Sequence, residues 1–402
     1  MCSHVRNCIQ HTPISLLRRT PWLNGVANPK CQAQGLPPLA DFDQEFAMPI
    51  PTEPIGSIPR PPALISAMGE FRAGRVTQER MNALYAEALK DTIRRFEETG
   101  SPVITDGEQT KPSFATYPLQ GAGNLAPDGV VIPFKDGHTR QLPRLSSGPF
   151  AYQTHAESYL KAARPLTLTP IKQAVISASA LSLIYPQGGI EGYPQDAFIG
   201  DLVAEADADI RSCLDNGAHN VQIDFTEGRL SVKLDPSKKL LHTFVDLNNR
   251  VLDRFTADQR LRIGVHTCPG GDQDSTHSAD VDYAELLPSL FDLKVGNFYV
   301  QLASEKDPER ALRTIKEVLR PGQRVFVGVI DVLNPIIESA ELVRDRVLQA
   351  AKYIPVEQLG TTDDCGFSPF ADDASTARDT AFAKIRARII GTQLAAERLK
   401  VN

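Results

Sequence analysis

The feature that most restricts the fold is a rhythm. From Ile55 onward, short apolar stretches alternate with amphipathic stretches whose apolar residues recur three and four apart. Strand period followed by helix period, over and over, is the mark of a parallel sheet with crossover helices. Strands are expected at Ile55–Ile58, Pro102–Glu108, Gln173–Ala178, Asn220–Asp224, Arg262–Thr267, Asn297–Leu302, Arg324–Asp331 and Leu359–Asp363. The clearest helix is Arg75–Gly100, with Met81, Leu84, Tyr85, Ala88, Leu89 and Ile93 along one face, and a long helix over 375–399 closes the chain. Eight such units predict an α/β fold closed into a (β/α)8 TIM barrel, with an open doubly wound sheet as the alternative. One stretch, Gly121–Pro149, breaks the rhythm. Its Val130-Val131-Ile132-Pro133-Phe134 run and Asp136-Gly137 turn predict a β-hairpin inserted after the second strand.

In such barrels the chemistry collects where the strands end. The polar residues at those ends are Ser57, Asp106, Glu108, Asp224, His266, Cys268, Gln301, Asp331 and Cys365. Alternation along a strand puts His266 and Cys268 on one face, and Cys365 follows the eighth strand. Two thiols and an imidazole make a zinc site with one open position, the catalytic rather than the closed structural kind. The competing reading is a core histidine beside inert buried thiols. Strand-end carboxylates in a barrel mouth are costly unless used, so Glu108 and Asp224 either meet a ligand or make structural bonds to neighbouring strand-end loops. Ser57 either binds a ligand or caps its own turn. Arg60, in Pro59-Arg60-Pro61, either holds an anionic tail or forms a surface salt bridge. His277 is expected in solvent beside a mobile Gly270–Ser275 loop.

Composition excludes several functions. A net charge of −6 is wrong for nonspecific nucleic-acid binding, and no apolar run is long enough to cross a membrane. The six cysteines are scattered without a disulfide framework, which suits a reducing, cytoplasmic compartment. Residues 1–45 stand apart as an extension, with residues 46–402 as the catalytic barrel. The first forty carry Arg6, Arg18, Arg19 and Lys30 and no acid, so they read either as a poorly ordered tail or as an organelle transit peptide.

Taken in order, Ile55-Gly56-Ser57, Thr105-Asp106-Gly107-Glu108, Gln222-Ile223-Asp224, His266-Thr267-Cys268 and Asp364-Cys365-Gly366 resemble the catalytic half of cobalamin-independent methionine synthase. They also resemble its shorter single-barrel relatives, including epoxyalkane:coenzyme M transferase. The likeness runs from about Ile55 to the C-terminus. It implies a zinc-dependent barrel that alkylates a thiol, most simply homocysteine by a methylated folate or another methyl donor. It places His266, Cys268 and Cys365 on zinc ligands, and Ser57, Glu108 and Asp224 on positions that hold the amino-acid thiol. Where the family completes the zinc shell with a glutamate, this chain has Gln301, with Glu305 as an alternative. Where the family has a proton-relaying histidine it has Leu333, which leaves Asp331 as the candidate catalytic group. The folate-stacking tryptophan is replaced within Ser177-Ala178-Ser179-Ala180, and the one tryptophan is Trp22 in the extension. The thiol half of the chemistry is therefore expected to be intact and the donor half changed. Epoxide opening by a thiol and a non-catalytic thiol- or metal-binding barrel are the alternatives. The expected partners are a small thiol and an alkyl donor, with a homodimer left open.

Overall fold

The computed structural model describes residues 48–401. The extension, with its transit-peptide reading, Trp22, Cys2, Cys8 and Cys31, lies outside the described residues.

The inserted hairpin comes first among the regular strands: β1 (Leu125–Ala126) pairs antiparallel with β4 (Arg144–Leu145), and β2 (Val131–Pro133) with β3 (Thr139–Gln141). The barrel strands follow as β5 (Gln173–Ile176), β6 (Val221–Asp224) and β7 (Ile263–Thr267). A small ribbon, β8 (Gly271–Asp272) with β9 (Ser275–Thr276), occupies the next loop, and β10 (Asn297–Val300), β11 (Arg324–Ile330) and β12 (Leu359–Asp363) complete the set. The six long strands form one parallel sheet in the order β12-β11-β10-β7-β6-β5. β5, β6, β7, β10 and β12 are buried along their whole length, as expected of parallel strands covered on both faces.

Two irregular segments close the ring, which excludes the open sheet. Thr52 bridges Thr361 in parallel, and Ile104 bridges Ile171. The two closing segments are joined to each other where the Ile58 amide donates to the Gly107 carbonyl at 3.0 Å. The expected strands Ile55–Ile58 and Pro102–Glu108 are thus reduced to single bridges, the first of them displaced to Thr52. Proline explains the first: Pro49, Pro51, Pro54, Pro59, Pro61 and Pro62 have no amide to give to a ladder.

The outer helices are amphipathic. In Gln78–Glu98, Thr77 caps the N-terminus by accepting from the Arg80 amide, and Met81, Leu84, Ala88, Leu89, Ile93 and Phe96 are buried. Sequence periodicity misses the short helices Pro62–Arg72, Ala178–Ser182 and Glu227–Leu234, the last two of which sit directly after strand ends. Among the described residues no helix is long and apolar enough to cross a membrane.

Candidate metal centre

β6 and β7 run in register, so that Asp224 lies beside His266, and β10 puts Tyr299 on the other flank of His266. The Nδ1 of His266 faces the Tyr299 carbonyl at 3.3 Å, which assigns the proton to Nδ1. Its Nε2 is buried without a partner. That nitrogen is the free donor a metal needs, oriented by a carbonyl behind the ring. Cys268 follows β7 and Cys365 follows β12. One ligand atom from each of His266, Cys268 and Cys365 lies within 4.8 Å of the others, and all three residues are buried. The two sulfurs are 3.0 Å apart, far beyond a disulfide bond of about 2.05 Å. The donor set of two soft thiols and one imidazole fits zinc, and one ion can join them through bonds of about 2.0–2.3 Å.

The protons on this cluster are coupled. The hydrogen bond from Cys365 draws Cys268 well below the ordinary thiol range, against burial and with help from the neighbouring imidazole. The same bond, with burial, pushes Cys365 well above it. Burial works to lower His266, but the Cys268 sulfur outweighs it and raises the imidazole above its usual value. Metal binding would displace these protons.

The loops that carry the sulfurs are rigidly held. The Asp364 carboxylate, beside Cys365, accepts from the amides of Leu302, Ala303 and Ser304 and from the Ser304 hydroxyl, at 2.7–2.9 Å. Gly366 lets Ser57 close in, since a Cβ there would sit 2.1 Å from the Ser57 hydroxyl. After Cys268, Gly270 has a φ of +70°, and a Cβ would lie 1.7 Å from the His277 ring. His277 is therefore buried against the loop and lines the cavity, not in solvent as expected. Burial lowers its pKa to about 4, so it is neutral near pH 7.

The ligands open into a cavity of about 70 Å³. Its floor is polar, with Ser57, Glu108, Gln222 and Asp224. Glu108, at φ +55°, pairs with Lys111 at 3.1 Å, and both are buried. Burial opposes the charge on Lys111, but Glu108, Asp106 and Asp224 surround it and hold the ammonium protonated well above its usual range. Burial raises Asp224 to about 6, with Glu108 adding to the shift and His266 working against it. Three carboxyls facing one lysine leave the floor short of positive charge. Lys111 and Gln222 were not singled out in the sequence. Gln222 was legible, because alternation puts it on the same face as Asp224.

The other sequence candidates lie elsewhere. Arg60 is buried rather than on the surface. Its guanidinium donates to the carbonyls of Glu108, Lys111, Ser368 and Phe370, tying the Glu108 turn to the Cys365 loop. Gln301 donates to the Ser304 hydroxyl and accepts from Arg229, and Glu305 pairs with Arg229 at 2.7 Å. Both line a separate cleft of about 770 Å³ that none of the three ligands reaches. The Asp331 carboxylate accepts from the Leu333 amide and lines neither space.

Residues 191–382 match the family described as the cobalamin-independent synthase, catalytic domain. A methionine synthase of Sulfolobus acidocaldarius is 24% identical over 358 residues, spanning 87% of this chain and 94% of its own. The 5-methyltetrahydropteroyltriglutamate–homocysteine methyltransferase of Aeromonas salmonicida is 23% identical across 81% of this chain and 43% of its own. Among solved structures, a B12-independent methionine synthase of a Shewanella species, in complex with selenomethionine, aligns with a TM-score of 0.67 at 18% identity over 89% of this chain and 100% of that one.

Proposed function

We propose, from the premise that this chain is a relative of the cobalamin-independent methionine synthase catalytic domain, that it transfers a methyl group to the sulfur of a small amino-acid thiol, most simply homocysteine to methionine, with zinc as its resident metal. The observation that carries this reading is the meeting of one imidazole and two sulfurs at the edge of a cavity whose floor is lined by buried carboxyls.

His266 through Nε2, Cys268 and Cys365 would hold the ion, which when bound lets a substrate thiol exist as a nucleophilic thiolate near neutral pH. The remaining work falls to the chain. Glu108 and Asp224, with Asp106 behind them, offer the substrate ammonium the positive-charge vacancy that Lys111 leaves. Ser57, held by the Ser368 amide at 3.1 Å, presents its hydroxyl to the substrate carboxylate. Arg60 positions Glu108 through its backbone. The Tyr299 carbonyl holds the His266 tautomer. Gln301 would not be among the ligands, since its amide is committed to Ser304 and Arg229, and a bound ion held by three residues would be open to the substrate sulfur. Asp331 holds the loop that carries Leu333.

The test is metal analysis combined with product analysis. Purified protein is expected to contain about one zinc per chain and to form methionine from homocysteine and a methyl donor. Zinc-loaded protein that neither binds nor alkylates homocysteine would leave a metal- or thiol-binding barrel instead.

A further inference from the structure

The cavity has two unlike halves, and only the floor is accounted for by a thiol. Its roof is the inserted hairpin. The strand β2 alternates outward, inward, outward, so Val131 and Pro133 are exposed while Ile132 turns in, followed by buried Phe134. On β3 the inward residue is Arg140, register partner of Ile132. Ile132, Phe134 and Arg140 all line the cavity, beside Phe114 and Phe370.

The roof is fastened to both ligand loops. The Lys135 amide donates to the Thr276 carbonyl at 3.0 Å, and the Asp136 amide to the Ser275 hydroxyl at 3.2 Å, which ties the hairpin tip to the loop after Cys268. Arg140 reaches Asp272 in the same loop at 2.5 and 3.0 Å, and Asp372 beyond Cys365 at 2.9 and 3.1 Å. Its guanidinium also lies over the Phe370 ring, 4.2 Å from the centroid. The two carboxylates satisfy Arg140, so it does not offer a free cation to a ligand.

A carbon delivered to the sulfur would approach through this space, the cavity that His266, Cys268 and Cys365 line together. We propose that the hairpin is the element that selects the alkyl donor, and that Ile132 and Phe134, with Phe114 and Phe370, select a compact, uncharged donor over a long polyanionic one. Charge on the donor would be desolvated against these side chains without a partner. In the reaction the sulfur forms a bond to the donor carbon and the bond from that carbon to its leaving heteroatom breaks. The heteroatom keeps the electron pair; the proton that the thiol gave up goes to that heteroatom where it is basic, and to solvent where the leaving group is a sulfonate. This rests on the thiol-alkylation reading above.

The experiment compares methyl 4-nitrobenzenesulfonate, uncharged and compact, with 5-methyltetrahydropteroyl triglutamate, long and anionic. Each is given to the full-length zinc protein with homocysteine, and the uncatalysed rate is subtracted. Thiol binding is followed separately, by the sulfur-to-cobalt charge-transfer absorption of cobalt-substituted protein. The uncharged donor is expected to be preferred by about 100-fold in kcat/KM. Phe134→Ala and Ile132→Ala are each expected to raise its KM roughly 10-fold, with metal content and the thiol-induced absorption unchanged. Two separate positions guard against one variant failing to fold. If homocysteine binds but the triglutamate is used equally well or better, if the uncharged donor does not react, or if a folded variant leaves its KM unmoved, the hairpin assignment is wrong while the thiol reading stands. If homocysteine does not bind, both fall.

Discussion

The floor and the roof of the cavity are built in different ways. The floor comes from strand ends of the barrel, where hydrogen-bonded register sets Asp224 beside His266 and the ring brings Cys365 to Cys268 across 97 positions of sequence. The roof comes from an insertion between the second and third barrel strands, held by side-chain ion pairs and two backbone contacts to its neighbour loop. A floor made of sheet register changes little without unfolding the barrel. The roof is carried by side chains on a hairpin outside the barrel sheet, so thiol handling and the proposed donor choice can be altered separately by substitution.

The largest effects should come from the floor. Cys268→Ser and Cys365→Ser each remove a ligand from a three-residue site, and each should lower metal affinity by more than roughly 100-fold. Metal content after dialysis and the rate of homocysteine alkylation should fall together. A serine variant that keeps full zinc and full activity would show that its sulfur is not a ligand. Next comes Asp224→Asn. Losing a charged partner for an ammonium costs about 1.5–3 kcal/mol, so the KM for homocysteine should rise by roughly 10–100-fold with zinc retained. An unchanged KM would take Asp224 out of substrate binding.

The same contrast explains what was legible in the sequence. The meeting of His266, Cys268 and Cys365 was readable because it obeys local rules: alternation couples His266 to Cys268, and barrel strand ends converge whatever separates them in sequence. The hairpin was readable from Asp136-Gly137. Arg60 was not, because four carbonyls satisfy it and two of them, on Ser368 and Phe370, lie 308 and 310 positions away. His277 was misread because its burial depends on a left-handed glycine seven positions earlier. The first strand was misplaced because prolines removed the ladder that its apolar residues promised. What rests on alternation and on convergence at strand ends could be read; what rests on particular tertiary partners, as for Arg60 and His277, could not.

A buried carboxyl behind the floor gives a third effect, on stability, with a definite pH signature. Glu227 accepts from the hydroxyls of Ser177 and Ser179 through one oxygen, and its other oxygen is buried without a partner. Burial raises it from 4.5 to about 7, against those two bonds. A carboxyl whose folded value lies above its unfolded one binds its proton better in the folded state. Folding stability is therefore lost as pH rises between about 4.5 and 7 and levels off above that. Glu227→Gln, which cannot ionise, should gain relative to the parent as pH rises, by up to the order of 3 kcal/mol at pH 8. Melting temperatures at pH 5 and pH 8 decide it, and a variant-to-parent difference that does not grow with pH would show that Glu227 is not held protonated.

The smallest effects should belong to the roof, and they split between two carboxylates on one guanidinium. Asp272 has 0% of its side chain exposed and accepts from both Arg140 and His138, whereas Asp372 is 49% exposed and meets Arg140 alone. Arg140 itself is 22% exposed, so neither pair has the strength of a fully buried one. Asp372→Asn should cost about 0–1 kcal/mol, as exposed pairs do. Asp272→Asn should cost about 1–3 kcal/mol, since it leaves buried donors with a weaker acceptor. Denaturant unfolding gives the two costs. Limited proteolysis of the hairpin, at 121–149, should quicken in Asp272→Asn and stay near the parental rate in Asp372→Asn. If the two variants behave alike, the latch is not at Asp272, and the hairpin is held by its backbone contacts to Ser275 and Thr276 instead.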